Sequence, residues 1–474
     1  MDNLYPLLST PGGKNFFKKI SKELISGSNV IIRLPKNERQ ERIVIEALNP
    51  LLWPAGLRID TLDSRIYQKS ANLLSFMNKQ PMFSKSKTRK NSFADFFKNS
   101  VTESLTHKIL CLFDPDSFEA ADPDEMAKDL VEAATATREN GTGNGDKKIT
   151  GHRFLAVVSP LFPPTREVEG LAVFNWFDAT SSIDHDMMFA QAENELDEPL
   201  SDIMYWWLKA ICMGAGGNDP DLISTIIKRA PKFEREIADI LLAHPLSKKI
   251  SNKFVFESKL LYRGVSHIPE DPPEDADYKI LWENGILTPN RFCMYHPATL
   301  ATDKTMLSKF IAGAQTQVLS HLLAQVIRTV LFVIEDKIDI AALEYYTEHE
   351  MKKAGRNDTD VNSQIGKSQA EIGPLLHSLR NYIKPPESDK SFIVKELTDL
   401  AYAWKVVRDK TAHFEVCSHE IFEYAMNLYK YVRDKYLENK PPWTVLRPKA
   451  LDFKRASSFY DDPPRRDPVL ALVK

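Results

Sequence analysis

Asn29-Val30-Ile31-Ile32-Arg33-Leu34 decides the fold class of the first part of the chain, because a nearly continuous apolar run of this length is typical of a strand buried on both faces. After a polar loop, a helical pattern extends from Arg42 to Leu52. Further apolar runs alternate with helical stretches, namely Leu57–Leu62, Ile109–Phe113, Phe154–Ser159 and Leu171–Phe174. Buried strands joined by helices imply a parallel sheet that is covered on both faces. Residues 1–190 are therefore predicted to form an α/β domain.

Beyond this domain the pattern is mostly helical and predicts three further segments. Residues 191–304 contain helical stretches at 200–213, 219–242 and 277–285, followed by a β-wing at 286–295, which suggests a helical and winged-helix subdomain. The wing has one arginine and no basic cluster, so we expect it to pack against protein rather than read DNA. Residues 305–440 begin with a long amphipathic helix over 305–349 and form an all-helical domain. Residues 441–474 are a Pro- and Arg-rich tail, either disordered or docked on the surface.

The composition narrows the possible functions. The chain has 474 residues, 43% of them hydrophobic, and a net charge of −3, so any RNA contact must be local, or transient as in a nuclease. Its four cysteines form no CxxC motif, which argues against a disulfide framework and a zinc site: Cys111, Cys212, Cys293 and Cys417. No signal-peptide pattern opens the sequence, and no apolar run approaches the ~20 residues of a membrane span. We therefore expect a cytoplasmic protein that has no membrane partner and no metal.

The loop after the first predicted strand lacks the residues that hold a nucleoside triphosphate. A P-loop needs glycines and a Gly-Lys-Ser/Thr sequence, whereas residues 35–42 contain no glycine and two glutamates. Gly12-Gly13-Lys14 precedes the strand and is therefore in the wrong place. Residues 79–91 are basic and Ser-rich, and can be interpreted as a phosphate-binding loop or as a solvated loop. We expect no ATP hydrolysis and no cofactor.

Three residues late in the helical region combine the groups needed to cleave RNA without a metal. Arg408 supplies a permanent cation, Asp409 a carboxylate and His413 an imidazole. A base can take the 2′-hydroxyl proton, an acid can protonate the leaving oxygen, and a guanidinium can hold the phosphate as charge builds. These three residues are the candidate catalytic group.

Helical spacing divides this group between two faces. Arg408 continues an apolar stripe formed by Leu397, Leu400, Ala401, Trp404 and Val407. We therefore expect Arg408 to project from the buried side of the helix, where its guanidinium must meet a carboxylate, a helix C-terminus, a partner chain or a phosphate. The candidate carboxylates are Glu344, Glu371 and Glu396. Asp409 and His413 lie one turn apart, so the carboxylate could fix the tautomer of the imidazole. Arg408 and His413 diverge by roughly 140° on an ideal helix. Either the helix starts or breaks nearby, or a second copy completes the site in a symmetric dimer.

Four motifs are spread over the first 330 residues of the chain: His152–Pro160, Val173–Asp178, Gly214–Asp219 and Leu281–Leu287. Together they resemble the ATPase-like domain of the STAND superfamily, and in particular its inactivated branch, in which the nucleotide loop has degenerated. Members of that branch are thought to act as sensory or scaffolding modules in bacterial conflict systems. The resemblance implies a degenerate P-loop NTPase-like fold for residues 1–190, and no nucleotide site.

Arg408-Asp409-Lys410-Thr411-Ala412-His413 is flanked by helical stretches at Ile372–Arg380 and Phe422–Tyr429. This arrangement resembles the HEPN family, whose metal-independent RNases carry Arg-[Asn/His/Asp]-x3-His, and it covers residues 310–440. The resemblance implies a helical bundle whose site forms at a dimer interface from two motif copies. His413 would be the general base or acid, Arg408 would stabilise the phosphorane, and Asp409 would orient the histidine. The expected product end is a 2′,3′-cyclic phosphate.

These features lead to one principal hypothesis and two others. The principal one is an antiphage-defence or toxin-type effector, in which an inactive STAND-like module holds or senses and a homodimeric HEPN domain cleaves RNA. The competing hypothesis is a non-catalytic scaffold that binds and regulates a separately encoded defence protein. The third is a nucleotide-binding switch, for which the sequence offers the least support.

Overall fold

The computed structural model describes most of the predicted elements, in two compact units. The described residues are 10–35, 41–62, 72–80, 91–95, 108–113, 122–139, 153–163, 165, 167–176, 182–245, 247, 279, 282–283, 296–298, 304–338, 372–381, 383 and 390–456. The first unit comprises Met1–Met188 with Val255–His296, and the second comprises Phe189–Phe254 with Pro297–Lys474. The predicted β-wing at 286–295 lies outside the described residues, as does most of the basic stretch at 79–91.

The first unit is built on a parallel sheet of five described strands, as the apolar runs predicted. The strands are β1 (Asn29–Arg33), β2 (Arg58–Thr61), β3 (Lys108–Phe113), β4 (Arg153–Val158) and β5 (Leu171–Asn175). Their order is β2-β3-β4-β1-β5, and every neighbouring pair is parallel. All residues of β1 and β4 are buried, which accounts for their lack of apolar–polar alternation. The coarse prediction of an α/β sheet is therefore confirmed.

Four helices of this unit precede or follow the strands in sequence: α1 (Pro11–Ser26), α2 (Glu41–Leu52), α3 (Leu73–Lys79) and α4 (Pro123–Glu139). Asn29 connects one of them to the sheet. Its Nδ2 donates to Thr137 Oγ1 of α4 at 2.7 Å, and its Oδ1 accepts from the backbone N–H of Phe154 at 3.0 Å. A buried amide at the start of β1 thus has partners for both its donor and its acceptor, as a polar group in a core requires.

The second unit is helical. After α5 (Ser182–Asn194), which contains the division between the units, its described α-helices are α6 (Asp202–Ile211), α7 (Pro220–Arg229), α8 (Glu234–Ala243), α9 (Lys304–Val333), α10 (Ile372–Asn381), α11 (Ser391–Ala412) and α12 (His419–Val432). The predicted helical pair at 219–242 is confirmed as α7 and α8, with Asp219 as the N-cap of α7. The long helix predicted over 305–349 is confirmed as far as residue 338, as α9 and a π-helical turn at Ile334–Ile338, and its predicted remainder lies outside the described residues. The sequence division into domains at 190, 304 and 440 stays a prediction.

Helix α9 is the central element of this unit, because it packs against α6, α11 and the π-helical turn at Cys212–Gly216. The segment Lys304–Ile338 is also long and apolar enough to cross a membrane, which the sequence analysis did not anticipate. Half of its most apolar window is buried inside the unit. Such burial is typical of the core helix of a helical bundle, and it is compatible with a soluble protein.

An aromatic cluster joins α6, α11 and α12. The ring of Trp207 stacks on Phe422 at 6.1 Å between centroids and meets the imidazole of His419 edge-on at 5.0 Å. Trp404 of α11 approaches the same Phe422 at 6.4 Å. Each indole N–H donates to a backbone carbonyl, Trp207 to Pro231 and Trp404 to Ala425. The cluster therefore buries large apolar rings without leaving an indole N–H unpaired.

Gly214 sets the distance between the π-helical turn and α9. A Cβ atom at this position would lie 2.9 Å from the carbonyl oxygen of Phe310 and 3.0 Å from Cα of Ile311. Both are backbone atoms, so relief would require the helix to shift. A glycine in the Gly214–Asp219 motif thus has a packing role.

We expect Gly214→Ala to lower the free energy of unfolding by about 1–3 kcal/mol, because overpacking a core forces backbone movement. Gly373→Ala is the matched control, since a Cβ at Gly373 would meet nothing within 4 Å and alanine favours the helix. Urea unfolding followed by circular dichroism measures both variants. If Gly214→Ala and Gly373→Ala were equally stable, the close approach of Gly214 to the backbone of α9 would be contradicted.

His419 makes the stability of the second unit depend on pH. Burial lowers its pKa from 6.5 to about 4, and the nearby Lys232 adds to the effect. Glu423 lies 3.8 Å from Nδ1 and would favour the proton, but its side chain is half-exposed, so burial dominates. The native state therefore holds a neutral imidazole, whereas the unfolded chain takes up a proton below pH 6.5.

The stability contributed by the neutral imidazole is complete above pH 6.5 and is lost as the pH falls towards 4, by roughly 3 kcal/mol over that interval. We expect His419→Phe, which keeps a ring against Trp207 but cannot titrate, to flatten this dependence. Denaturant unfolding at several pH values between 4 and 7 measures it. An unchanged pH dependence in the variant would contradict the assignment to His419.

Candidate functional site

Helix α11 carries the Arg-x4-His motif on its last turn. Its apolar stripe is buried as the spacing predicted, at Leu397, Leu400, Ala401, Trp404 and Val407. The stripe packs α11 against α9, α10 and α12. The position of the motif is therefore set by the core of the second unit.

The helix ends inside the motif, which was one of the two geometries that the sequence left open. Ala412 is its last residue and His413 is its C-cap, with φ −91° and ψ 13°. The N–H of Glu415 donates to the carbonyl of Lys410 at 2.9 Å, and the N–H of Phe414 donates to that of Thr411 at 3.1 Å. This pair of bonds is the Schellman arrangement that closes many helices.

Phe414 occupies the position of that arrangement where glycine is usual. Its φ is 58°, in the left-handed region, where a side chain costs roughly 1 kcal/mol or more relative to glycine. The ring is also 65% exposed, so burial does not offset this cost. An apolar, exposed side chain in a strained conformation next to His413 is a feature that the fold alone does not require.

Gln315 of α9 holds the segment that follows the helix. Its side chain is fully buried, its Nε2 donates to the carbonyl of Cys417 at 3.0 Å, and its Oε1 accepts from the N–H of Cys417 at 2.9 Å. The neighbouring Thr316 donates through Oγ1 to the carbonyl of Thr411 at 3.2 Å. Helix α9 thus fixes the backbone on both sides of His413.

The predicted burial of Arg408 is wrong, since 47% of its side chain is exposed. The stripe continues from Val407 to the buried Thr411, alternating steps of three and four residues, and this spacing leaves Arg408 at its edge. Its guanidinium meets Asp409 Oδ1 at 3.2 Å. Glu396, one of the three carboxylates predicted as its partner, is engaged elsewhere, and Glu344 and Glu371 lie outside the described residues.

Asp409 pairs with cations instead of with His413. Burial alone would raise the pKa of its carboxyl group, but hydrogen bonds from Lys405 and Arg408 outweigh this effect and hold the pKa below its usual value. Within the described residues, the Asp409 and His413 side chains share no hydrogen bond. In one chain, therefore, the carboxylate orients Arg408 and Lys405, and the predicted orientation of the imidazole by Asp409 is not brought about.

His413 is exposed at the end of the helix, and Arg408 is exposed one and a half turns before it. Both side chains can reach a ligand from solvent. Arg408 can offer a guanidinium that is already oriented by a carboxylate, and His413 can offer an imidazole as a proton acceptor or donor. A single chain supplies one of each, so an acid and a base acting together require a second histidine.

A cleft that the sequence analysis missed adjoins the motif. Its volume is about 680 Å³, and it is lined by Lys304, Thr305, Ser308, Lys309, Lys410, Phe414, Glu415, Val416, Ser418, Ile421, Phe453, Lys454 and Ala456. We call it the lysine cleft. Its walls come from the start of α9, the segment after α11, the start of α12 and the tail at 453–456. No local pattern predicts it, because these segments are distant in sequence.

Glu396 forms the centre of a buried polar cluster away from the motif. Its carboxylate is 1% exposed and accepts from the hydroxyls of Tyr431 at 2.6 Å and Tyr436 at 2.5 Å and from Lys435 Nζ at 3.0 Å. Burial, and then the hydrogen bond to this carboxylate, raise the pKa of both tyrosines. Arg447 of the tail lies 3.8 Å from it. Glu396 therefore joins α11, α12 and the tail.

No family model matches the chain, and neither a curated protein nor a solved structure matches it. The resemblances to the STAND superfamily and the HEPN family therefore stay hypotheses that rest on the motifs quoted above.

We expect Gln315→Met to lower the free energy of unfolding by about 2–4 kcal/mol, because it leaves the buried N–H and C=O of Cys417 without partners. Gln317→Met on the same helix is the control, since Oε1 of Gln317 has no hydrogen-bond partner within the described part of the chain. Chemical denaturation of both variants is the measurement. A Gln315 variant as stable as the control would show that the side chain does not hold the segment.

Proposed function

We propose that this chain is a metal-independent endoribonuclease of the antiphage-defence or toxin type, active when two copies pair through their C-terminal helical units. The observation that carries the proposal is the end of α11, where Arg408 and His413 of the Arg-x4-His motif both lie exposed on a rigid helical core. The chemistry of an arginine and a histidine suits transfer of an RNA phosphate to its own 2′-hydroxyl.

In this mechanism His413 of one copy takes the proton of the 2′-hydroxyl, and the freed oxygen attacks phosphorus. The bond from phosphorus to the 5′-oxygen breaks, and His413 of the second copy protonates that leaving oxygen. Arg408 donates hydrogen bonds to the non-bridging oxygens as negative charge builds on the phosphorane. Asp409, bound to Arg408 and Lys405, holds the guanidinium in place. The products are a 2′,3′-cyclic phosphate and a 5′-hydroxyl.

The first unit would act as the inactive STAND-like module of such an effector. Its five-stranded parallel sheet is compatible with that fold class. Helix α2 begins at Glu41, so a carboxylate stands in the first turn, where a P-loop protein binds phosphates. Because a carboxylate at this position repels phosphate, it supports a holding or sensing role for which the module needs no bound triphosphate.

The competing proposal is a non-catalytic scaffold that binds a separately encoded defence protein. The pairing of Arg408 with Asp409, and of Asp409 with Lys405, favours it, because the same charge cluster could serve structure alone. The two proposals differ in what they require of His413. Cleavage depends on its imidazole, whereas a scaffold does not.

We expect the protein to cleave single-stranded RNA in the presence of EDTA, and His413→Ala to lower the rate by roughly 10²–10⁴-fold. Arg408→Ala should lower it by about 10²–10³-fold, as for loss of a group that stabilises the transition-state oxyanion. Lys395→Ala is the control, because Lys395 is exposed on the same helix and is not part of the motif. Gel electrophoresis of labelled RNA measures cleavage, and resistance of the 3′ end to a simple phosphatase identifies the cyclic product.

Pairing of the two copies is tested by mixing variants. Mixing the unaltered protein with an excess of the His413→Ala protein should lower the cleavage rate per unaltered chain, since a mixed dimer has one histidine at the shared site and therefore lacks either the base or the acid. Sedimentation at micromolar concentration reports the dimer itself. If His413→Ala cleaves RNA as fast as the unaltered protein, the nuclease proposal is lost and the scaffold remains.

A further inference from the structure

The charge of the lysine cleft is strongly one-sided, although the whole chain is slightly acidic. Among the residues that the structure describes, four lysines line it, Lys304, Lys309, Lys410 and Lys454, against one lining carboxylate, that of Glu415, while the carboxylate of Glu234 interacts with Lys304. Glu415 is paired with Lys410 at 3.4 Å. The cleft also receives the start of α9 and the N-cap residue Ser418 of α12, and helix N-termini add positive partial charge. A local field of this kind attracts anions.

Two aromatic rings in the cleft add a second kind of contact. Phe414 is held in its exposed position by the strained backbone described above, and Phe453 is held by edge-on contacts with Tyr402 at 5.4 Å and Tyr424 at 5.6 Å. Phe414 is exposed and Phe453 is partly buried. Lysines beside accessible aromatic rings suit single-stranded nucleic acid, because phosphates pair with the cations and bases stack on the rings. An acidic peptide would use the lysines and leave the rings without a partner.

The tail completes the cleft. Arg447 forms an ion pair with Asp399 of α11, and Phe453 packs on Tyr402 of α11 and Tyr424 of α12. These contacts dock the part of the tail that the structure describes and bring Lys454 to the cleft. Of the two states that the sequence left open for the tail, the docked one applies to residues 447–453, which make these contacts.

We propose that the lysine cleft binds a single strand of RNA and directs it towards His413. Lys410 connects the two places, because it lines the cleft and lies three residues before His413 in the same motif. The volume of about 680 Å³ is that of a site for a small organic ligand, so the cleft receives one nucleotide while the strand continues over the surface. The choice of RNA over DNA rests on the proposed function, whereas the choice of a nucleic acid strand rests on the lysines and the two rings.

The test uses the full chain with His413→Ala, so that binding is measured without cleavage. The probe is a labelled single-stranded RNA of ten nucleotides, followed by fluorescence anisotropy over a series of salt concentrations. Lys454→Glu alters the cleft, and Lys449→Glu is its matched control, because Lys449 is exposed on the same tail and does not line the cleft. We expect Lys454→Glu to weaken binding and to reduce the salt dependence of log K by about 0.7, the contribution of one phosphate on a single strand. The control should change neither.

A second variant tests the aromatic contact. Phe414→Gly removes the ring and suits the left-handed backbone, so we expect an unfolding temperature that is not lowered together with binding about 5- to 150-fold weaker. This pairing separates loss of a ligand contact from loss of the fold. If Phe414→Gly bound the RNA as tightly as the protein with Phe414, the aromatic rings would have no role in binding and the proposal would be overturned.

Three other outcomes would also overturn the inference. Equal effects of Lys454→Glu and Lys449→Glu would show a general charge effect. Displacement of the RNA by polyglutamate at an equal concentration of charges would indicate an acidic protein partner. Binding of adenosine monophosphate as tightly as of the ten-nucleotide strand would indicate a pocket for a free nucleotide.

RNA binding by the lysine cleft and RNA cleavage at His413 can be disproved independently of each other. If the cleft variants lose RNA binding selectively but the unaltered protein cleaves no RNA, the cleft is supported as a binding site and the nuclease proposal is rejected. If cleavage depends on His413 but RNA binding is the same in the cleft variants, the nuclease proposal is supported and the cleft is rejected as the binding site.

Discussion

The paired hydrogen bonds between the side chain of Gln315 and the backbone of Cys417 determine where the chain runs after α11. They fix this segment against α9, and the Schellman bonds to Lys410 and Thr411 then close the helix. Because a buried amide has no competing water, these bonds keep their geometry. His413 and the part of the lysine cleft formed by residues 414–418 take their positions from this attachment, whereas Arg408 is placed by the buried stripe of α11.

Much of the first unit could be predicted from the sequence because its signals are local. A strand that is buried on both faces must be apolar along its length, so β1 and β4 were visible as runs such as Asn29–Leu34. The partly buried β2 and β5 were visible as the runs Leu57–Leu62 and Leu171–Phe174. The order of the strands was not visible, since pairing of β1 with β4 and β5 depends on residues more than a hundred positions away. The N-cap Asp219 likewise revealed the start of α7, because a capping side chain acts within three residues.

The site was predicted less well, for equally physical reasons. The burial of Arg408 was wrong because steps of three and of four residues both continue the stripe from Trp404, and the core accommodates Val407 and Thr411 instead. The end of α11 carried no sequence signal, since Phe414 stands where glycine usually marks it. Lys405 and Arg408 both reach the carboxylate of Asp409, which pairs with these two cations instead of with the imidazole of His413. The lysine cleft depends on three segments that are distant in sequence, residues 304–309, 410–421 and 453–456, which only the fold brings together.

The strand order of the first unit also has a consequence for synthesis of the protein. Both neighbours of β1 follow it in sequence, and the first to emerge, β4, pairs Val30 with Leu155. At roughly 5–20 residues per second, a translating ribosome adds the about 125 intervening positions in some 6–25 s. For that time a strand that is fully buried in the folded unit has no partner in its own sheet. The nascent protein therefore exposes an aggregation-prone segment, which a chaperone could cover, before the ribosome has reached its middle.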